Sequence, residues 1–421
     1  MPGAAFFRKS IIAVGLAIGA GDLLGQATVS PLGGEYSLVG SLPGDQVLPS
    51  LALRADGGVL AWQDSKADAR GQGVEAVMMS SAGVMQGHMF RANRAVTSDQ
   101  INPCVALLPD NNIIYVWESR ISGTPDIYTR LSRPNKRSTD LGTNFFTVDL
   151  RANTYLHDGQ INPAVTGLAD GGAVLVWQSF GQDGSGYGIY ARKLLANSHW
   201  ATAREFLVNQ NKAYNQRNPS ITTLANGNYI IVWISESERS AASVDVYARV
   251  FSPTGLPVTD EILINDGNDV CSTPSVAALN DGGFTVVWNQ RDSQTPDNGN
   301  DIWGRAFSAA GWAQGASFRI NTYLHGDQYS AKIASGPSGS LVVWTSMAED
   351  GSREGVFGRF LDGGITVSGD EFRVNTTTVS QQIHPTVVWN GVDRFVVAWT
   401  SFTGANGFDL FGQAYVLNNS H

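Results

Sequence analysis

The chain has 421 residues, of which 15% are charged, and its formal net charge is −9. This charged fraction lies well below the roughly 25% that is usual for soluble domains. An acidic chain without a Lys/Arg cluster outside residues 133–137 is not expected to bind nucleic acid. Low charge together with 47 Gly residues and many polar uncharged residues is typical of an extracellular all-β protein.

The first 27 residues differ in kind from the rest of the chain. Arg8 and Lys9 precede an apolar run that ends near Leu24, and Gly25-Gln26-Ala27 follows. This order predicts a secretory signal peptide that is removed from a secreted protein. The run is too short for a stable transmembrane span. The alternative is a retained hydrophobic segment that anchors the protein or docks into a neighbouring subunit.

A single unit then recurs seven times. In each copy a polar turn leads into a Val-rich run that ends on Trp, as in Asp281-Gly-Gly-Phe-Thr-Val-Val-Trp288. The seven Trp residues are Trp62, Trp117, Trp177, Trp233, Trp288, Trp344 and Trp399. Near-equal periods of 55 to 60 residues indicate a repeat architecture.

Each period accommodates four strands: a Pro-led strand, the run into Trp, a third strand and a fourth that ends at Asn. The Trp strands are apolar at nearly every position, which predicts burial on both faces of a sheet. Four-stranded sheets stacked radially form a β-propeller. The fold prediction is therefore one all-β domain over residues 34–417, a seven-bladed β-propeller. The N-terminal strand Glu35–Val39 is expected to complete the last blade and close the ring.

Two cysteines, Cys104 and Cys271, fall in the second and fifth repeats. These repeats are far apart on a seven-bladed ring. The pattern favours two separate buried thiols over a disulfide.

The loops that enter the first strand of each blade carry a recurrent Gln. Its members are Gln46, Gln100, Gln160, Gln216, Gln328 and Gln382, and Cys271 is the one exception. The structural interpretation is that each Gln hydrogen-bonds the backbone of its own or the next blade. The functional interpretation is a ring of amides that binds a polar ligand.

The loop after each Trp strand varies between repeats, and such variation often accompanies function. Asp183 and Asp292 lie on Gly- and Asn-containing loops of this kind, which makes Ca²⁺ a possible ligand. No loop has the complete calcium pattern with its closing Glu, and solvated turns are the alternative. The scattered histidines do not form a zinc set, and no catalytic motif stands out.

Trp200 and Trp312 also depart from the repeat. Both follow the third strand of a blade, on the opposite face of the ring from the Gln residues. An exposed Trp is a common sugar-stacking or interface residue. Either side chain is equally compatible with covering the outer edge of a blade.

The Asp-Gly-Gly-Phe-Thr-Val-Val-Trp units and the later Asp-Val-Tyr-Ala-Arg segments resemble a repeat found in secreted and surface-attached bacterial proteins. The resemblance covers about residues 34–417 and implies architecture and location. Related propellers include lectins, adhesion modules and some polysaccharide-cleaving enzymes, so a fold alone transfers no activity.

Three functions are compatible with these features. The leading one is a non-enzymatic extracellular protein that recognises glycan or another surface ligand through loops on one propeller face. The second is a structural subunit of a fibre or surface layer, in which the N-terminal segment contacts the next copy and builds a homo-oligomer or filament. The third is a carbohydrate-active enzyme that uses an off-repeat carboxylate in the central cleft, such as Asp292 or Asp350.

Overall fold

The computed structural model describes residues 27–68, 71–134, 143–295, 298–404 and 406–418. Nearly all of the segment predicted to be a signal peptide lies outside these residues. Within the described part of the chain every regular element is a β-strand, and no helix there is long and apolar enough to span a membrane.

The strands form seven antiparallel sheets, which we number as blades 1–7 in chain order. Blades 1 to 3 comprise β2 (Gln46–Arg54), β3 (Gly57–Asp68), β4 (Gly71–Met79) and β5 (Met85–Arg91); β6 (Gln100–Leu107), β7 (Ile113–Ser119), β8 (Asp126–Pro134), β9 (Thr143–Phe145) and β10 (Leu150–Arg151); and β11 (Gln160–Gly167), β12 (Ala173–Phe180), β13 (Tyr187–Leu194) and β14 (Phe206–Leu207).

The remaining blades follow the same plan. Blades 4 to 6 comprise β15 (Gln216–Thr223), β16 (Tyr229–Glu236), β17 (Val244–Phe251) and β18 (Ile262–Leu263); β19 (Cys271–Ala278), β20 (Phe284–Arg291), β21 (Asn300–Phe307) and β22 (Phe318–Arg319); and β23 (Gln328–Gly336), β24 (Gly339–Met347), β25 (Glu354–Asp362) and β26 (Thr366–Arg373). Blade 7 comprises β27 (Gln382–Trp389), β28 (Arg394–Phe402), β29 (Phe408–Asn418) and β1 (Thr28–Ser37).

The prediction of a seven-bladed propeller closed by the N-terminal strand is confirmed. β1 pairs antiparallel with β29, from Thr28 opposite Asn418 to Ser37 opposite Phe411. The first strand of the chain therefore completes the last blade, and it begins earlier than the segment from Glu35 that the sequence suggested.

The core lies between the sheets rather than within one central cluster. Seven apolar clusters occupy the seven spaces between neighbouring blades. The seven repeat Trp side chains are fully or almost fully buried in them. This explains why the Trp strands are apolar on both faces, since each face packs against an adjacent sheet.

The first strand of every blade lines the central channel and contains a bulge near its start. In β11 the pairing with β12 shifts between Ile161 and Ala164, and Asn162 adopts a φ of 54°. The equivalent residues with positive φ are Leu48, Asn102, Asn162, Asn218, Thr273, Ser330 and His384. The bulge leaves these residues around one mouth of the channel.

Both cysteines are free thiols, as the spacing predicted. Cys271 is buried in a core cluster. Cys104 is only partly buried, because it lies on a first strand and lines the channel. Burial raises the pKa of both thiols above the usual value, so neither is an activated thiolate.

Candidate functional site

The recurrent Gln side chains form the centre of a hydrogen-bond cluster at the upper face, the end of the ring at which the first strands begin. In blade 3, Gln160 Oε1 lies 3.0 Å from Nδ2 of Asn153, the last residue of the preceding blade's repeat. Gln160 Nε2 donates to the carbonyl of His157, three residues earlier, at 3.1 Å. The same Asn153 Nδ2 lies 2.7 Å from Asp126 Oδ1. The same Asn and Gln pair also joins blades 1 and 2, 3 and 4, 5 and 6, and 6 and 7.

The six Gln side chains have no exposed surface. Each is at 0% relative exposure: Gln46, Gln100, Gln160, Gln216, Gln328 and Gln382. Their amides bind the protein itself, which favours the structural interpretation of the repeat. Ligand binding by these residues stays a prediction that would require the cluster to open.

Every blade also contains one carboxylate near the start of its third strand. These residues are Asp68, Asp126, Asp183, Asp245, Asp301, Asp350 and Asp409. In blades 1, 3 and 6 the strand itself has Gly73, Gly188 or Gly355, and the carboxylate precedes the strand. A Cβ on Gly188 would lie 2.6 Å from Asp183 Oδ2, and one on Gly355 would lie 2.8 Å from Asp350 Oδ2. Asp183 and Asp350 therefore occupy the place of a repeat carboxylate.

Asp292 is different, because blade 5 already has Asp301 in that place. The loops after the other six Trp residues have no carboxylate at the position of Asp292, four residues beyond the Trp. Asp292 and Asp301 both line a cavity of about 420 Å³ at the boundary of blades 4 and 5. This cavity is lateral, so the expected location of Asp292 in the central cleft is wrong; Asp350 does not line the central cavity either.

One amide nitrogen bridges the two carboxylates of blade 5. Nδ2 of Asn298 lies 3.1 Å from Asp292 Oδ2 and 3.1 Å from Asp301 Oδ2. An amide nitrogen has two N–H bonds that diverge by about 120°, so donation to both acceptors places these oxygens roughly 5 Å apart. The pair is therefore held at a defined separation beside the cavity.

The two carboxyl groups differ in acidity. Burial is the largest influence on Asp301 and raises its pKa, although Asn321 and Arg319 oppose the shift. The backbone N–H of Gln294 donates to Asp292 at 2.8 Å and is the largest of several hydrogen bonds that lower the pKa of Asp292. Opposite shifts in neighbouring carboxyls suit one acid and one base.

The rest of the cavity wall combines an aromatic side chain with charged groups. Trp303 takes a position that is Tyr in blades 2 to 4, and it is partly exposed. Arg319 Nη1 lies 3.6 Å from Asp301 Oδ2, and Arg291, Asp266 and Asp269 complete the charged lining. Such a surface presents an apolar ring face and polar groups to the same ligand.

Blade 5 differs from the other blades in the pair of residues that joins its first and second strands at Cys271. In six blades the first-strand residue is Gln and its partner on the second strand is a smaller residue, as in the pair Gln160 and Ser179. In blade 5 the sizes are exchanged, with Cys271 opposite Gln290. Gln290 Oε1 accepts a hydrogen bond from Trp288 Nε1 at 3.1 Å, and Gln290 lines the cavity.

The two off-repeat Trp residues have different environments. Trp200 is partly buried, packs against the core between blades 2 and 3, and lies under the guanidinium of Arg192, 4.5 Å from its ring centre. Trp312 is 77% exposed. Trp200 therefore covers a blade edge, whereas Trp312 keeps a free ring; ligand binding by either stays a prediction.

Among the residues described, no group of three or more His, Cys, Asp or Glu side chains is arranged to hold a metal ion. The suggested Ca²⁺ ligand Asp292 instead uses its Oδ1 to accept backbone N–H groups of Gln294 and Thr295.

Sequence reasoning identified Asp292 but missed Asp301, Asn298 and Trp303. Asp301 was concealed because it belongs to the repeat, and Asn298 because it lies in a variable loop. Trp303 carried a readable signal, since it replaces the Tyr of three other third strands.

No family model matches the chain, and no curated protein matches it in sequence. Solved structures of similar fold do exist. A protein of unknown function from Dyadobacter fermentans has 12% identity and a TM-score of 0.55, with 93% of this chain and 99% of that chain covered. A PL25 polysaccharide lyase, an ulvan lyase, has 11% identity and a TM-score of 0.53, with 88% and 94% covered. The GH93 α-L-arabinofuranosidase of Fusarium graminearum has 12% identity and a TM-score of 0.50, with 74% and 91% covered.

At these identities the likeness shows the fold alone. Of the three structures named, the two with a stated activity are enzymes that act on carbohydrates, and this finding corrects the leading functional interpretation of the sequence. The prediction of a non-enzymatic, lectin-like protein is contradicted, and the carbohydrate-active alternative agrees better with the neighbours.

Proposed function

We propose that the protein is a carbohydrate-active enzyme that hydrolyses glycosidic bonds in the lateral cavity of blade 5. The observation that carries this proposal is the bridged pair Asp292 and Asp301, each 3.1 Å from Asn298 Nδ2. Glycoside hydrolysis requires two carboxyl groups on either side of the scissile bond.

The acidities assign the roles. Asp301, with its raised pKa, donates a proton to the leaving glycosidic oxygen. Asp292, with its lowered pKa, is the carboxylate that attacks the anomeric carbon and forms a glycosyl ester. Water then hydrolyses this ester, and Asp301 takes up the proton of that water. The net reaction consumes one glycoside and one water.

The separation of the carboxylates predicts the stereochemistry. Carboxyl groups about 5 to 5.5 Å apart are typical of retaining glycosidases, whereas inverting enzymes need about 6.5 to 9.5 Å to accommodate a water. The spacing of roughly 5 Å set by the geometry of a shared amide donor favours retention. We expect the first-formed sugar to keep the anomeric configuration of the substrate, which proton NMR of the early product measures.

The lining supports a sugar ligand. The exposed part of Trp303 offers a face for stacking, and Arg291 and Arg319 offer N–H donors to ring hydroxyls or to a sugar acid. A volume of about 420 Å³ accommodates one or two sugar rings.

The test is release of reducing ends from a panel of plant and algal polysaccharides. We expect Asp292→Asn and Asp301→Asn each to lower kcat by at least about 100-fold. Asp301 also binds Asn321 at 2.7 Å, so its loss weakens the blade. Asp245→Asn is the matched control, since Asp245 binds Asn265 in the same way at 2.9 Å, and no hydrogen bond of a described amide joins Asp245 to a second carboxylate.

Two results contradict the proposal. One is hydrolysis that survives in the Asp292→Asn variant, and the other is a folded wild-type protein that is inactive on the whole panel. Products that absorb in the ultraviolet as unsaturated uronates would instead identify a lyase, for which this pair is not the expected machinery.

We also infer that the protein is secreted. Polysaccharides are extracellular substrates, and residues 1–27 have the composition of a signal peptide. N-terminal sequencing of the protein from its native host should begin close to residue 28. A mature chain that begins at Met1 would favour the retained segment and the fibre or surface-layer alternative.

A further inference from the structure

A second cavity, of about 550 Å³, lies at the upper mouth of the central channel. It is lined by the bulged first strands of all seven blades. Its described lining shares no residue with that of the blade 5 cavity. Any function here is therefore separate from the proposed hydrolysis.

Lys332 is the one charged side chain among the described residues that line this cavity. The position two residues after the bulge is small in the other blades: Ser50, Cys104, Ala164, Ser220, Ser275 and Thr386. Lys332 is thus a single departure from a seven-fold pattern, placed where seven strands converge.

The ammonium group of Lys332 has no hydrogen bond or ion pair with any described residue. Burial lowers its pKa, and the thiol of Cys104 opposes this only in part. Lys332 in turn lowers the pKa of His384, which burial has already lowered more strongly. His384 Nδ1 is buried without a hydrogen-bond partner. Lys332 is only partly buried because it lines the open channel, and a charge that is partly removed from water and has no ion pair is stabilised when a counter-ion binds to it.

The lining indicates what kind of counter-ion fits. No carboxylate is present among the described lining residues, so the site lacks an internal anion for Lys332. A single positive charge suits a monoanion better than a dianion. Ser220, Ser275 and Thr386 provide hydroxyl groups, and Leu51 and Ile333 provide an apolar floor for an organic body.

We propose that the central cavity binds a small organic monocarboxylate, with the carboxylate on Lys332 and the body of the ligand against the channel wall. Two sources share this chemistry: a sugar acid, and a simple carboxylic acid. The hydroxyl groups of the lining favour the sugar acid.

The experiment is calorimetric titration of the protein from residue 28 with glucuronate, acetate and inorganic phosphate. We expect glucuronate to bind more tightly than acetate, and both more tightly than phosphate at a pH where phosphate is largely dianionic. Lys332→Met should weaken glucuronate binding at least tenfold, and Lys332→Arg should retain most of it.

Lys193→Met is the matched control, because Lys193 is paired with Asp170 at 2.6 Å and does not line the cavity. It should leave binding unchanged. NMR of the histidine rings locates the ligand: the His384 signal should shift on binding, while that of the exposed His199 should not.

Four outcomes overturn the proposal. These are no binding of either carboxylate to the wild type, equal affinity in Lys332→Met, tighter binding of phosphate, and a carboxylate that binds without shifting His384. Circular dichroism of each variant shows whether it is folded. If Lys332→Met is not folded, the retained binding expected of Lys332→Arg and the shift of the His384 signal in the wild type still test the proposal. Loss of hydrolysis in Asp292→Asn without loss of glucuronate binding would separate this site from the proposed active site.

Discussion

The exchange of residue sizes across the first two strands of blade 5 gives a quantitative prediction. Cys271→Gln alone places two Gln side chains opposite each other in a filled core and should cost about 1–3 kcal/mol. Gln290→Ser alone removes the acceptor of Trp288 Nε1, 3.1 Å away, and leaves a buried donor unpaired at a cost of about 1–3 kcal/mol. The double variant relieves the crowding but still lacks an acceptor for Trp288 Nε1, just as Trp177 Nε1 of blade 3 has none beside its Gln and Ser pair, so it should cost about as much as Gln290→Ser alone, about 1–3 kcal/mol.

The coupling between the two changes should therefore be about 1–3 kcal/mol in favour of the double variant. Equilibrium unfolding in urea, followed by Trp fluorescence, measures it as a shift in midpoint at constant slope. The mirror-image cycle in blade 3, Gln160→Cys with Ser179→Gln, should show coupling of the same sign. Additive costs in both cycles would refute the idea that the two positions are exchanged partners.

Three further predictions follow from single features. Thr273 is a β-branched residue at a φ of 48°, a conformation that Asn adopts at the same place in blades 2 to 4. Thr273→Asn should therefore raise the free energy of unfolding by about 1 kcal/mol. An unchanged urea midpoint would contradict this. Burial, with repulsion from Glu371, raises the pKa of Glu349 to about 8. The folded state therefore keeps a proton that the unfolded state loses above about pH 4.5, and the free energy of unfolding should fall as the pH rises towards 8. Glu349→Gln should make the urea midpoint less dependent on pH in this range. Deletion of residues 28–37 leaves β29 without its outer neighbour and should lower the melting temperature and promote association, which calorimetry and gel filtration would detect.

The fold was predictable because one physical constraint recurs seven times. Each Trp strand is buried between two sheets, so its sequence is apolar throughout, and the period between strands counts the blades directly. The closing strand was predictable for a related reason, since the last repeat ends after its third strand and a bare edge is unfavourable. Its start at Thr28 was not, because the extra residues pair through backbone groups and carry no apolar pattern.

The candidate site was only partly predictable. Asp183, Asp292 and Asp350 look alike as loop carboxylates in the sequence. In the structure Asp183 and Asp350 take the place of a repeat carboxylate, whereas Asp292 is additional to Asp301. The distinguishing signal lies on the following strand, where Gly188 and Gly355 stand in blades 3 and 6 and Asp301 stands in blade 5. The role of a loop carboxylate can therefore be interpreted only together with the residue at the start of the third strand of the same blade. The bridge through Asn298 depends on loop conformation and has no sequence pattern.

The repeat also separates structural groups from candidate functional ones. A polar group that recurs around the ring is explained by the hydrogen bonds that the blades need, as for the carboxylate that binds the last Asn of the fourth strand in blades 1, 2, 4, 5 and 6. Asp292 and Lys332 each occur once, and neither is required by the blade that contains it, since the equivalent positions elsewhere lack a carboxylate or an ammonium group. Both lie beside cavities at the upper face, where the first strands begin and the variable loops end. Asp292 and Lys332 are thus single departures from a seven-fold pattern, and substitutions of these two side chains should change chemistry before they change stability.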